Sequence, residues 1–261
     1  MSQAPDLNSL FQSAQAEGLL SSTSLQALNV IDIGAQIQAG LGVAVDDVTS
    51  SEVVLVTLMP DDSGSIDFSG NAAVVSAGHN TVIDALANCS QRDNILCHTR
   101  YLNGFVLSPY CPVTQATLMS SRNYNPNKGT PLYDQTVVLL GTVLAKTQEF
   151  ADNGVPVRTV TLIITDGADE HSQRSTAQTV KSIVQDMLMA ENHIIAAMGI
   201  DDGSTNFRQV FQDMGIRDQW ILTPGNGQKE IRKAFEVFSQ SAVRLSQSTN
   251  FSHPGLGGFG A

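Results

Sequence analysis

At 261 residues, 42% hydrophobic and 15% charged, the chain can bury a sizeable core, as one large domain or two small ones, and disorder along its whole length is excluded. The net charge of −11 is unevenly placed: residues 1–91 carry ten acidic side chains and no basic one, and the first cation is Arg92. The first third is therefore no nucleic-acid surface, which needs clustered Lys and Arg, whereas an acidic stretch without basic partners can hold a cation cheaply.

Residues 1–50 are polar, Ser/Gln/Ala-rich and broken by glycines. Their short apolar clusters (Leu7, Leu10, Phe11; Leu25, Leu28; Ile31, Ile33, Ile37) predict one or two short helices in an N-terminal extension or docking arm peripheral to the core. Met1–Gln15 has no positive start and no long apolar run, so no signal peptide and a cytoplasmic protein are expected. No run approaches ~18 apolar residues, so no membrane span is expected. The three cysteines, Cys89, Cys97 and Cys111, lack CxxC spacing and read as reduced core thiols, with a Cys97–Cys111 bridge as the alternative in an oxidising setting.

A domain over 51–248 follows. Val53–Met59 is the continuous apolar run of a strand buried on both faces, and Ala72–Ala87 reads as a helix. Ile95–Leu102 and Phe105–Val113 are β-rich runs separated by Asn103-Gly104, a hairpin signal in which both turn residues take positive φ. Pro131 opens a long helix with Thr130 as its N-cap, a buried stripe of Leu132, Thr136, Leu139, Leu140, Val143 and Leu144, and Gly154 at its end. Val160–Thr165 is a buried strand and Thr176–Glu191 an amphipathic helix. Ile194–Ile200 is a strand, Asn206–Met214 a short helix and Trp220–Leu222 a short strand. Lys229–Ser246 is the last helix, with Ile231, Phe235, Phe238, Ala242 and Leu245 inward, and 249–261 is a Gly-rich mobile tail. Strands alternating with helices, plus one hairpin, predict an open, doubly wound, mostly parallel α/β sheet with one antiparallel edge strand and helices on both faces. Ligands of such sheets bind beyond the carboxyl ends of the strands.

Three loops meet that condition. Asp61-Asp62-Ser63-Gly64-Ser65 follows the first strand, Gly129-Thr130-Pro131 stands at a helix start, and Thr165-Asp166-Gly167 follows the second long strand. Asp61, Ser63, Ser65, Thr130 and Asp166 offer two carboxylates and three hydroxyls. Hard oxygen donors of this kind select Mg²⁺, Mn²⁺ or Ca²⁺ over zinc.

In the order and spacing of DDSGSI, GTPLYD at 129–134 and LIITDG at 162–167, residues 50–248 resemble a von Willebrand factor type A domain with its metal-ion-dependent adhesion site. The resemblance implies that Ser63, Ser65 and Thr130 supply hydroxyl ligands and that Asp61 and Asp166 act largely through bound water. It also implies a Mg²⁺-dependent protein–protein interaction module that captures an Asp or Glu of a partner, as intracellular prokaryotic members do beside AAA+ ATPases in complex assembly. Pro60 before the motif and the insert Asp67-Phe68-Ser69-Gly70-Asn71 depart from the family pattern.

Lesser candidates have plainer readings. Asp169-Glu170-His171 is a solvated acidic loop with a second cation site as its alternative, and Asp201-Asp202-Gly203 is first of all a turn. His79, His98, His193 and His253 are scattered without ligand spacing. No Walker A, GxGxxG or G-x-S-x-G sequence is present. The hydroxyl-rich set suits binding better than water activation, so a non-enzymatic role is expected, with a metal-dependent hydrolase or phosphatase, or a structural subunit, as alternatives.

Overall fold

The computed structural model describes residues 6–28, 31–248 and 258–260, with side chains from Ile33 onward in the second segment and none at Gly260. The strands are β1 (Val53–Met59), β2 (Ile95–Arg100), β3 (Val106–Pro112), β4 (Val157–Thr165), β5 (His193–Gly199) and β6 (Ile221–Leu222). They form one sheet in the order β3-β2-β1-β4-β5-β6. All neighbours are parallel except β2 and β3. Every residue of β1, β2, β4 and β5 is buried, as a parallel sheet covered on both faces requires. Strand order reverses between β1 and β4, whose register runs from Val53 opposite Val157 to Met59 opposite Ile163. The crevice beyond their carboxyl ends is the topological switch point.

The helices are α1 (Leu7–Ala16), α2 (Ser22–Leu28), α3 (Ile31–Gly40), α4 (Gly64–Phe68), α5 (Ala72–Ala87), α6 (Leu132–Ala151), α7 (Ala177–Met189), α8 (Phe207–Asp213) and α9 (Gln228–Ser246). On one face α5 pairs with α9 at Gly78, where a Cβ would come within 2.2 Å of the Phe235 ring. On the other face lie α6 and α7.

Residues 6–28 and 31–50 contain three helices, not one or two, and they are built into this second face. Leu10, Phe11, Ala14, Leu28, Ile33 and Ile37 belong to the main hydrophobic core. They reach α6 because Gly141 has no side chain; a Cβ there would meet Ile37 at 2.7 Å and Leu28 at 2.8 Å. A single buried stripe on α6 is therefore too narrow a description: the helix is buried without interruption from Thr136 to Gln148. A helix that is apolar all round must be covered on both sides. Its buried Lys146 donates to the carbonyl of Val43 and, at 2.8 Å, to Glu149. The segment after α3 covers a smaller cluster, with Val43, Val45 and Val48 packed on Val53, Leu55, Tyr110 and Phe150.

Two loop expectations also change. The hairpin loop is Leu102-Asn103-Gly104, closed by Tyr101 N–H to the Phe105 carbonyl and Gly104 N–H to the Tyr101 carbonyl, both 2.8 Å. Only Gly104 takes positive φ, at +91°. This is a three-residue loop with a left-handed glycine, so Asn103 keeps an ordinary backbone and its amide is free for other work. Residues 258–260 do not hang free: Phe259 packs on Trp220 with ring centroids 5.3 Å apart, and Arg244 donates to the Gly258 carbonyl at 3.1 Å. The rest of the predicted tail, with His253, lies outside the described residues. Among the described residues no single helix is long and apolar enough to cross a membrane. Cys97 and Cys111 face each other across β2 and β3 as free thiols.

Candidate metal centre

The chain turns sharply after Met59 because Pro60 cannot extend the ladder, and the next carboxylate then drops into the switch-point crevice. Asp61 is fully buried. Its Oδ1 accepts the Ser63 N–H at 2.7 Å, and its Oδ2 accepts the Thr165 hydroxyl at 2.7 Å and the Asp166 N–H at 3.4 Å. One carboxylate thereby ties the loop after β1 to the loop after β4. Its own carbonyl accepts from the Tyr124 hydroxyl.

The ligand-grade oxygens stand above this strut. Ser63 Oγ and Ser65 Oγ are 2.9 Å apart, Ser65 Oγ donates to Asp166 Oδ1 at 2.5 Å, and Ser63 Oγ lies 3.5 Å from the same oxygen. Ser69, from the insert, reaches Asp166 Oδ2 at 3.5 Å. Thr130 enters from the third loop, which joins the first through Gly64 N–H to the Lys128 carbonyl at 3.0 Å. The Thr130 hydroxyl packs 3.5 Å from where a Cβ on Gly167 would stand. All five predicted residues thus lie in three loops at one end of the sheet.

Electrostatics fit a cation. Burial, with Asp166 nearby, pushes the Asp61 carboxyl up to about 6 despite the hydrogen bonds from Ser63 and Thr165. Burial also raises Asp166, against the pull of the Ser65, Ser63 and Ser69 hydroxyls. No Lys or Arg pairs with either carboxylate among the described residues. Two buried carboxylates with no counter-charge are costly unless protonated or joined by a metal. Among the described residues no cluster of three or more His, Cys, Asp or Glu side chains could hold a metal, here or elsewhere.

Several residues have supporting roles that the sequence did not indicate. Asn103 donates its backbone N–H and its side-chain amide to Asp62 Oδ1, both at 2.9 Å, and the same amide to the Gly129 carbonyl at 2.6 Å, bracing two of the loops. Nor is Thr130 the N-cap of α6. Pro131 occupies that position without a side-chain bond, and the first free amides go to another loop: Tyr133 N–H to Asp169 at 3.1 Å and Asp134 N–H to Ser172 at 2.9 Å. The loop 169–172 is therefore a tertiary cap, and Asp134 holds it in return by accepting the amides of Gln173 and Ser175. The signal was present as an acidic residue three ahead of a serine, but nothing local says whose helix it caps.

The remaining candidates have structural roles. Asp202 accepts the amides of Ser204 and Thr205 in an exposed turn, close enough to Asp166 to raise its pKa. His79, His98 and His193 are buried against Thr99, the Ser108 carbonyl and Thr159.

The chain matches no family model and no curated protein. Among solved structures, the open form of the pilus adhesin SpaC from Lactobacillus rhamnosus GG aligns with a TM-score of 0.55 at 13% identity, over 75% of this chain and 30% of its own. The SpRpn10 VWA domain aligns at 0.49 and 11% identity, over 76% and 98%. The mussel-byssus proximal thread matrix protein 1, with zinc in its MIDAS motif, aligns at 0.44 and 14% identity, over 74% and 46%. The chain spans under a third of the adhesin, and at these identities the likeness is one of fold. By its sheet order and single antiparallel edge strand, the chain has a von Willebrand factor type A-like fold.

Proposed function

We propose that this protein is a divalent-cation-dependent interaction module and not an enzyme. The observation that carries the reading is the meeting of Ser63, Ser65 and Asp166 within 2.5–3.5 Å over the buried Asp61, with no Lys or Arg pairing with either carboxylate among the described residues. Ser63, Ser65, Thr130 and Asp166 would hold the ion, and Asp61 would hold the loops that carry them. When bound, the ion supplies a Lewis-acidic positive centre open to an external carboxylate. The three hydroxyls add no negative charge, which keeps that centre attractive in a partly dry crevice. Phe68, 96% exposed on α4 beside this cluster, offers the partner an apolar contact. The finer terms of the reading rest on the resemblance of the three motifs: Mg²⁺ as the ion, Asp or Glu as the captured group, an AAA+ ATPase as the partner and the cytoplasm as the setting.

The test is calorimetry with Mg²⁺ and Mn²⁺, followed by recovery of partners with and without EDTA. Ser65→Ala is a better probe than Asp61→Ala, because removing Asp61 strands three buried donors. Ser65→Ala should weaken the ion and the partner together; Phe68→Ala should weaken the partner alone. Partner binding indifferent to EDTA, or turnover of generic phosphate esters with Mn²⁺, would overturn the reading.

A further inference from the structure

The hydroxyls of Ser63 and Ser65 are placed by Asp166, but Thr130 is placed from elsewhere. Its N–H donates to Nδ1 of His171 at 2.9 Å. Its carbonyl accepts the amides of Glu170 at 3.1 Å and His171 at 3.4 Å. Residues 170–171 therefore grip Thr130 through both its peptide groups. The imidazole can approach only because residue 129 is glycine: a Cβ there would lie 2.8–2.9 Å from three ring atoms. The loop that carries His171 is itself anchored, through Asp169 and Ser172 on α6 and through Asp134 on the Gln173 and Ser175 amides.

We propose that His171 is a positioning residue for the cation: by accepting the Thr130 N–H through Nδ1 it aims the Thr130 hydroxyl into the cluster. The inference rests on the metal reading above. It requires a neutral imidazole with its proton on Nε2. Groups that orient a ligand from behind in this way are worth about 10–100-fold in metal affinity. Asparagine carries Oδ1 close to where histidine carries Nδ1, so it can take over the acceptor role; alanine cannot.

The experiment compares full-length wild type with His171→Ala, His171→Asn, Gly129→Ala and Ser65→Ala, by Mn²⁺ calorimetry, by thermal melts and by ¹⁵N NMR of the metal-free protein. His171→Ala should lose about 10-fold in Mn²⁺ affinity with little change in melting temperature, and His171→Asn should recover to within about threefold of wild type. Gly129→Ala retains both Thr130 and His171 but drives them apart, and should behave as His171→Ala does. Without metal, the Thr130 amide signal should move in His171→Ala and Gly129→Ala and stay in His171→Asn, and the wild-type ring should be the Nε2-protonated tautomer. If wild type binds Mn²⁺ and Ser65→Ala does not, an unchanged His171→Ala, or an asparagine as weak as alanine, overturns the positioning role alone. If wild type binds no Mn²⁺, the metal reading falls and takes this inference with it.

Discussion

Asp61 and Thr130 show how differently two residues of one motif can be held. Asp61 is a strut whose oxygens are filled by three donors of the protein, whereas Thr130 leaves its hydroxyl without a hydrogen bond among the described residues. Because Pro131 stands at the helix cap, Thr130→Ala removes no cap bond. It should shift the melting temperature by less than the ~2–4 °C that 1 kcal/mol produces in a domain of this size, while lowering Mn²⁺ affinity about 10-fold. Asp169→Ala should do the reverse in stability, costing on the order of 1 kcal/mol, since it strips the first turn of α6 of an acceptor. Urea unfolding of the two variants side by side checks both, and a Thr130→Ala loss as large as that of Asp169→Ala would contradict the assignment of the cap.

At the scale of elements, α6 decides how the molecule is put together. Its apolar residues run all round the helix, so the face turned from the sheet needs its own cover, and α1, α2 and α3 provide it. Phe11, 2% exposed, is the largest α1 side chain in that contact. Phe11→Ala should destabilise by about 3–5 kcal/mol, as for other buried aromatic truncations, although it lies far from the site in sequence. Chemical denaturation of the full chain measures this directly, and a cost below about 1 kcal/mol would mean that α1 is an appendage. The hairpin teaches a related lesson. Asn-Gly correctly marked the reversal between β2 and β3, but the loop took three residues, and Asn103 was released to bind Asp62 and Gly129.

Across the whole molecule, burial sets the response to acid. It pushes His79 down to about 4 and both His98 and His193 down to about 3. In the unfolded chain each titrates near about 6.5. The folded value is the lower one, so the stability these groups contribute is complete above about 6.5 and is lost as the pH falls to about 4 for His79 and about 3 for His98 and His193. Asp61 works the opposite way: its folded value of about 6 exceeds the unfolded one, so acid relieves a cost, and Asp62 and Asp166 are raised too. The shifts of His98 and His193 exceed that of Asp61, and the three imidazoles together should prevail. Without metal, stability should fall on the order of 1 kcal/mol per pH unit between about 6.5 and 4.5. Urea midpoints at several pH values in EDTA test this; a profile that is flat or rises on acidification would show that the carboxylates dominate.

The amino-acid sequence determined the fully buried strands, because continuous apolar runs such as Val53–Met59 have no other stable place than the middle of a covered sheet. It also determined the helix Ala72–Ala87, and the oxygen-bearing loops, because those loops directly follow buried strands or open a long helix. Only the tertiary structure decided what joins these parts. That residues before β1 belong to the core follows from a glycine at 141, whose partners lie about a hundred positions earlier. That α6 is capped by Asp169 and Ser172, and that His171 and Asn103 brace the Thr130 loop, are meetings of residues 26–41 positions apart. Periodicity and turn chemistry act over a few residues and carry no term for such distances. The positions of these side chains became definite only when the strand order 3-2-1-4-5-6 brought their loops together at the carboxyl end of the sheet.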